Sequence, residues 1–268
     1  MKRTTTIFSY VARIFGCDIA RLGTTRNYVL FQSGMNQRQR ENVLDEYLLE
    51  QHLASLLSVY RVNFVLDVGA NQGQYAHRLR VAGYDGHISS FEPIKELYEI
   101  LLNVSQSDEK WTINGFALGS ADGQAQFNVT SNALFSSFLI PNAQCEEEFG
   151  EECHIIRTER VEIQRLDSVL RLISETIPRP RIFLKMDTQG YDVEVFKGLG
   201  DYTNNVVALQ SELAVVPLYE GMVRFHEAIK LYEAHGFEIT ALQPVNRPAS
   251  LRLLEIDCVM ARPTSSVD

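Results

Sequence analysis

The sequence predicts an α/β fold with one mostly parallel β-sheet that carries helices on both faces. From residue 63 onward, short apolar runs typical of buried strands alternate with amphipathic helical stretches. The last two apolar runs, residues 237–242 and 255–261, have no helix between them, so they predict a hairpin that adds an antiparallel last strand. The 268 residues, 45% of them hydrophobic, suffice for one sizeable core.

The first 60 residues precede this alternation and are predicted to form a helical N-terminal appendage. Apolar residues recur at helical spacing within residues 7–15 and again within residues 43–57. We interpret residues 7–15 as a helix packed on the core rather than on a membrane surface. Residues 28–31 leave open a short strand instead. The predicted domains are therefore residues 1–60 and residues 61–268.

The second domain contains the predicted sheet. Its parallel strands are predicted at residues 64–68, 86–92, 111–118, 181–186 and 206–213. Further strands at residues 124–130 and 160–164 flank a loop region, and helices are predicted at residues 74–80 and 223–235. Ligands of such sheets bind beyond the carboxyl ends of the strands, so the residues that follow each strand are the candidate site.

Charge and composition argue against several functional classes. The net charge of -9 and the pI of about 5.2 are unlike the basic surface of a nucleic-acid-binding protein. No apolar run approaches the roughly 20 residues that cross a bilayer, and the N-terminus fits a secretory signal poorly. The four cysteines include no CxxC pair, and their sparse use in a chain of this length is typical of a reducing compartment.

A glycine turn and an acid predict an adenosine-binding site. Gly69 and Gly73 follow the first strand and open a helix, where they let the backbone turn tightly and approach a ligand. Glu92 ends the second strand, at a distance along the chain typical of the acid that binds ribose hydroxyls.

The details of this turn favour S-adenosylmethionine over a dinucleotide. Asn71 stands where the middle glycine of a dinucleotide turn is expected. Asp67 places a carboxylate beside the turn, which suits the ammonium and sulfonium of S-adenosylmethionine better than the phosphates of NAD. An NAD-dependent oxidoreductase remains the alternative.

Eight stretches of the chain match one known family: VLDVGANQGQYAHRLR, GHISSFEP, ALGSADGQAQF, NALFSSFL, VEIQRLDSVL, FLKMDTQGYDVEVFKG, ALQSELAVVPLYEGM and LEIDCVMAR. In these stretches the chain resembles the FkbM-type methyltransferases, a class I group that uses S-adenosylmethionine and acts mostly on hydroxyls. The resemblance covers about residues 60 to 262. It implies a Rossmann-like fold with a seven-stranded sheet. The chain departs from the family at Gln189-Gly190-Tyr191, where an acid before the glycine or a small residue after it is usual.

The resemblance implies which residues hold the cofactor. Glu92 is expected to hold the ribose, and Ala117 and Leu118, which follow the third strand, are expected to lie against the adenine. The expected cofactor-binding residues are Asp67, Gly69, Ala70, Asn71, Gly73, Gln74, Tyr75, Glu92, Pro93, Ala117, Leu118 and Asp187.

Methyl transfer to a hydroxyl needs a group that accepts the hydroxyl proton. Asp187 follows the fourth strand and is the first candidate for a base or for contact with the cofactor. Lys185 shares a strand face with it and requires a carboxylate partner, either Asp187 or Glu212. Glu212 ends the next strand and is predicted either as a base or as that partner. His226, on the following helix, is a weaker candidate, since a lone helix histidine is more often structural.

Acceptor binding is expected in the region between residues 128 and 158, at the end of the strand at residues 181–186, and at a second rim of the pocket after Pro217. The candidate acceptor-binding residues are Asn132, Ser136, Ser137, Gln189 and Tyr219. The acidic run between Cys145 and Cys153 is predicted as a solvated loop that covers the site. The resemblance makes the hydroxyl of a sugar, glycan or glycosylated natural product the expected acceptor, and it implies a cytoplasmic setting.

Two further questions concern metals and catalysis. Asp187 and Glu212 offer oxygen ligands suited to Mg²⁺, but no dense acid cluster surrounds them, so metal dependence is not favoured. A cofactor-binding scaffold without catalysis is the alternative from another class. A homodimer is also compatible with the sequence.

Overall fold

The computed structural model describes residues 16–21, 28–173, 177, 179–245 and 250–263. Contacts divide the chain into two units, Met1–Gln51 and His52–Asp268. The amphipathic stretch at residues 7–15 lies outside the described residues. Among the helices described, none is long and apolar enough to cross a membrane.

The N-terminal unit contains a β-hairpin as well as a helix. Strands β1 (Cys17–Arg21) and β2 (Tyr28–Gln32) pair antiparallel, and helix α1 begins at Gln37 and continues to Val59. The helical prediction is therefore wrong for β1, and the strand alternative is confirmed for β2. The two strands satisfy their backbone hydrogen-bonding groups by pairing with each other. The helical periodicity elsewhere in the first 60 residues gives no sign of this pairing.

Ten strands and six helices follow within the part of the chain that the structure describes. The strands are β3 (Phe64–Val68), β4 (His87–Phe91), β5 (Trp111–Asn114), β6 (Ala117–Gly119), β7 (Gly123–Thr130), β8 (Ile155–Arg165), β9 (Ile182–Met186), β10 (Val206–Ala214), β11 (Glu238–Val245) and β12 (Glu255–Ala261). The helices are α2 (Gln74–Val81), α3 (Lys95–Ser105), α4 (Ala143–Phe149), α5 (Leu166–Ile173), α6 (Asp192–Lys197) and α7 (Phe225–Ala234).

The central sheet has seven strands in the order β11-β12-β10-β9-β3-β4-β5. Strands β3, β4, β5, β9 and β10 are parallel, whereas β12 runs antiparallel to both of its neighbours. The mostly parallel sheet with an antiparallel last strand is confirmed. Strands β3 and β9 are buried at every residue, as expected of central strands covered on both faces.

The predicted strand at residues 111–118 is two strands in different sheets. The side-chain amide of Asn114 donates to Ser89 Oγ at 2.9 Å and to the carbonyl of Ser90 at 3.1 Å, at the point where β5 ends. Strand β6 then pairs with β8, and β8 pairs with β7, in a separate three-stranded sheet. This second sheet brings the region after β7 over the carboxyl edge of β3 and β4, as the cleft described below shows.

The acidic segment predicted as a solvated loop is instead α4 followed by a 3-10 turn at residues 150–153. The side chain of Asn142 caps α4 by accepting from the amides of Gln144 and Cys145. Cys145 and Cys153 are buried in a cluster with Phe135 and Leu218, so the apolar residues of the segment determine its position. Within the described residues, no group of acids, histidines or cysteines is arranged to hold a metal ion.

Candidate active site

A cleft opens at the carboxyl edge of the central sheet. The ends of β3, β4 and β9 form its floor, and residues of the second sheet and of the segment after β7 form its opposite wall. Its lining includes ten of the residues predicted from sequence, namely Gly69, Asn71, Gln74, Glu92, Pro93, Ala117, Leu118, Ser136, Asp187 and Gln189.

The turn after β3 is fixed to the end of β4. The amides of Gly69 and Ala70 both donate to the carbonyl of Phe91 at 3.1 Å, and Asn71 adopts a left-handed φ of 50°. Gly69 has a φ of +76°, and a Cβ added there would lie 1.9 Å from the carbonyl oxygen of Asp187. The backbone at Gly69 thus reaches the loop after β9 at a separation that only glycine permits.

Glu92 forms the link between this turn and β4. Its Oε2 accepts from the amide of Asn71 and its Oε1 from the amide of Ile94, each at 2.9 Å. The side chain is buried yet lines the cleft. Burial raises the pKa of Glu92 to about 7, although the two amides and Lys185 act to lower it. Each carboxylate oxygen retains a lone pair for a further donor from the cleft.

We expect the ligand-free protein to be less stable at about pH 8 than at about pH 5.5. A carboxyl group whose pKa is raised by folding favours the folded state while it is protonated, and this stability is lost as the pH rises through the folded pKa. For Glu92 the rise from 4.5 to about 7 corresponds to about 3 kcal/mol, lost between about pH 4.5 and 7. Burial likewise raises the pKa of Asp257 to about 6.

Urea unfolding at the two pH values measures this difference, and Glu92→Gln is the comparison variant. The decline in unfolding free energy with pH should be shallower in the variant, since Gln cannot titrate. Equal decline in both proteins would show that Glu92 titrates normally in the folded state.

Aromatic and apolar side chains form the wall that the second sheet contributes. The rings of Phe127 and Phe138 lie 4.9 Å apart, and those of Phe138 and Tyr191 lie 4.8 Å apart. Together with Ile94, these three rings line the cleft beside the predicted Ala117 and Leu118. The sequence pattern did not predict Phe127 as a wall residue, because β7 reaches the cleft through pairing with β8, far along the chain.

Lys185 is a buried cation held by two carboxylates. Its Nζ lies 3.3 Å from Asp67 Oδ1 and 3.4 Å from Asp187 Oδ2, and it donates to the carbonyl of Gly69 at 3.1 Å. Burial by itself lowers the pKa of Lys185, but Asp187 and Asp67 outweigh it and hold the pKa above its usual value. Lys185 therefore stays charged and joins β9 to the turn after β3.

The sequence predicts that Asp67 faces the positive charge of the cofactor, whereas in the structure its partner is Lys185. It is fully buried and lies outside the cleft lining, with Ser90 Oγ donating to its Oδ2 at 3.0 Å. The charge beside it is that of Lys185, its neighbour in the register of β3 and β9. Asp187 is the exposed member of this group, with 43% of its side chain accessible.

Gln189 connects the loop after β9 to β10. Its Nε2 donates to Glu212 Oε2 at 2.7 Å and to Asp187 Oδ1 at 3.2 Å. Its Oε1 accepts from the hydroxyl of Tyr219 at 2.9 Å. Glu212 lies directly beyond the cleft lining, and Lys185 pairs with Asp187 and Asp67 rather than with Glu212 in the contacts observed.

Several predicted residues lie elsewhere. His226 is exposed on α7 and does not line the cleft. Tyr219 is buried rather than at the rim, and Ser137 is buried with its hydroxyl donating to the carbonyl of Gln189 at 2.9 Å. Tyr75 is buried and donates to Gln210 at 2.8 Å. Tyr219, Ser137 and Tyr75 are positioned by hydrogen bonds to residues at least 30 positions away along the chain, which local sequence patterns do not reveal.

Asn132 and Gly73 line a second, open concavity instead of the cleft. Asn132 caps the 3-10 turn at residues 133–135 and donates to Glu152 Oε2 at 2.8 Å. Ser136 does line the cleft, and its hydroxyl accepts from the amide of Thr130 at 3.1 Å.

The strand order, with antiparallel β12 between β10 and β11, and the cleft beyond β3 and β4 define the class I methyltransferase fold. The family model for the methyltransferase FkbM domain matches residues 67–239. The chain belongs to the FkbM methyltransferase family. No curated protein matches its sequence.

Several solved structures are similar. Magnesium protoporphyrin IX methyltransferase from Synechocystis PCC 6803, solved with bound S-adenosylmethionine, has a TM-score of 0.45 and 10% identity, with 87% of each chain covered. Precorrin-6y C5,15-methyltransferase from Geobacter metallireducens has a TM-score of 0.40 and 10% identity, covering 85% of this chain and 90% of that chain. Aeropyrum pernix fibrillarin has a TM-score of 0.38 and 10% identity, covering 74% of this chain and 66% of that chain.

Proposed function

We propose that this methyltransferase uses S-adenosylmethionine to methylate a hydroxyl oxygen of a sugar, a glycan or a glycosylated natural product. The observation that carries the proposal is Glu92, a buried carboxylate held by two backbone amides with its remaining lone pairs available to the cleft. The hydroxyl acceptor and its sugar class come from the family resemblance.

The residues of the cleft fit the adenosine part of this cofactor. Glu92 accepts hydrogen bonds from the two ribose hydroxyls, which are neighbouring donors suited to a single carboxylate. The apolar surface of Ile94, Ala117 and Leu118 lies along the same wall and suits an adenine ring. Gly69 leaves its backbone open to close approach.

The charged end of the cofactor fits the loop after β9. S-adenosylmethionine, when bound, supplies a methyl group on a positively charged sulfur. Asp187 lines the cleft and is partly exposed, so its carboxylate attracts positive charge from the cofactor. Asp67 acts indirectly. It pairs with Lys185, and Lys185 in turn pairs with Asp187 and holds its carboxylate in position.

The acceptor enters where Asp187 and Gln189 reach Glu212. Burial and the carboxylates of Glu255 and Asp187 raise the pKa of Glu212 well above its usual range, so this group is more basic than an ordinary carboxylate. A hydroxyl held there loses its proton to a neighbouring carboxylate as its oxygen forms the new bond. Most of the rate enhancement then comes from alignment of the hydroxyl with the methyl group.

Isothermal titration with S-adenosylmethionine, S-adenosylhomocysteine and NAD tests the cofactor assignment. We expect binding of the first two and none of NAD. Transfer of labelled methyl groups to a panel of saccharides, with and without Mg²⁺, then tests the reaction. Preference for NAD contradicts the proposal, and binding without transfer to any acceptor favours a non-catalytic scaffold.

A further inference from the structure

We propose that Glu212 is the base that takes the acceptor proton, and that Gln189 and Tyr219 are positioning residues that hold its carboxylate in place. This inference rests on the proposed function and assigns the base within that same site. In the step, the acceptor oxygen bonds to the methyl carbon, and the carbon–sulfur bond breaks with its electron pair passing to sulfur. The hydroxyl proton passes to Glu212 Oε1.

Glu212 and Asp187 differ in the hydrogen-bond and ion-pair partners of their carboxylate oxygens. Both oxygens of Asp187 are engaged, Oδ1 by Gln189 Nε2 at 3.2 Å and Oδ2 by Lys185 at 3.4 Å. Glu212 Oε2 accepts from Gln189, whereas Oε1 has no donor among the residues that the structure describes.

The orientation of the Gln189 amide is determined by its partners. The hydroxyl of Tyr219 donates to Oε1, so Nε2 faces both carboxylates with its two hydrogens. The reverse orientation would place the amide oxygen against two acceptors. The backbone of Gln189 has a left-handed φ of 52°, and its carbonyl accepts from Ser137 Oγ at 2.9 Å, which fixes the residue itself.

The buried side chain of Asp192 links the loop after β9, which carries Gln189, to the strand β10, which carries Glu212. Asp192, at the start of α6, accepts from the amide of Thr188 at 2.9 Å and from the amide of Glu212 at 3.1 Å. It also accepts from Ser211 Oγ at 2.7 Å. The loop that carries Gln189 and the strand end that carries Glu212 are therefore joined by the same side chain.

The groups around Glu212 make its basicity sensitive to Gln189. Asp187 faces it from the loop after β9, Asp192 from α6, and Glu255 and Asp257 from β12, all of them acidic. These carboxylates and burial disfavour a charge on Glu212, and the Gln189 amide is the donor that opposes them. Loss of that donor should raise the pKa of Glu212.

The experiment compares Gln189→Leu, Tyr219→Phe and the control Gln106→Leu, which lies at the exposed end of α3. Titration of carbon-13-labelled glutamate followed by NMR gives the pKa of Glu212, whose signal is identified by its absence in Glu212→Gln. We expect an increase of about one pH unit in Gln189→Leu, a smaller increase in Tyr219→Phe and none in the control.

Activity provides the second measurement. The acidic limb of the pH profile of kcat should move by the same amount, so that kcat below that pKa falls about tenfold in Gln189→Leu. An unchanged Glu212 titration in folded Gln189→Leu and Tyr219→Phe overturns the positioning role. Full activity in Glu212→Gln together with its loss in Asp187→Asn overturns the assignment of the base. If the wild type binds no S-adenosylmethionine, the proposed function fails, while the titration still decides whether Gln189 holds Glu212.

Discussion

Replacing Gly69 with alanine is expected to destabilise the protein by about 3 to 5 kcal/mol and to abolish binding at the cleft. The new Cβ would lie 1.9 Å from the carbonyl oxygen of Asp187 and 2.9 Å from its carbonyl carbon. That carbonyl belongs to a backbone that cannot retreat freely, because the amide of Asp187 donates to Val68 at 3.1 Å. Urea unfolding measures the loss of stability.

Gly83→Ala is the matched control for this prediction. Gly83 has a comparable left-handed φ of +91°, but no heavy atom lies within 4 Å of a Cβ added there. Its replacement therefore incurs only the conformational penalty, about 1 kcal/mol. Equal unfolding free energies for the two variants would show that the loop after β9 moves to accommodate a side chain at position 69.

The sheet and its ligand edge could be predicted because their signals are local. Strand β12 matches its predicted bounds, and β3, β4, β9 and β10 each begin and end within one residue of theirs. Strand β11 continues three residues past its predicted end, and the predicted strand at residues 111–118 is split. A buried parallel strand is a short apolar run, and the turn after β3 depends on residues adjacent in sequence. Glu92 likewise follows directly from the end of β4, so chain order alone places it beside the turn.

Interactions between distant residues account for most of what the sequence did not predict. The acidic run at α4 resembles a solvated loop, yet Cys145 and Cys153 pack against Phe135 and Leu218 and bury one of its faces. Tyr219 follows Pro217 in a segment of loop character, but its hydroxyl is drawn inward to Gln189. Neither arrangement is visible in local periodicity, since Leu218 lies more than 60 residues from the two cysteines and Gln189 lies 30 residues from Tyr219.

Of the two carboxylate partners of Lys185, only one could be predicted from the sequence. Its position inside a buried strand predicts a carboxylate partner, and Asp187 is one of the two partners found. The second partner, Asp67, depends on the register of β3 against β9, in which Asp67 and Lys185 are opposite each other. A periodic pattern gives the burial of both strands but leaves their register undetermined, so the pair with Asp67 required the structure.

Replacing Glu92 with alanine is expected to weaken the binding of S-adenosylmethionine by about 100-fold or more. Each hydrogen bond to a charged acceptor contributes about 1.5 to 3 kcal/mol, and the proposed site forms two of them with ribose. The variant also leaves the amides of Asn71 and Ile94 without their acceptor, which loosens the turn that faces the cofactor. Isothermal titration measures the loss.

Glu99→Ala is the matched control, because Glu99 lies on α3 with 60% of its side chain exposed. The pH dependence gives an independent check that uses no variant. Since the pKa of Glu92 is about 7 in the free protein, a neutral ligand that carries the same ribose, such as methylthioadenosine, should bind about tenfold more tightly at about pH 8 than at about pH 6. Affinity independent of pH, together with wild-type affinity in Glu92→Ala, would place the ribose elsewhere in the cleft.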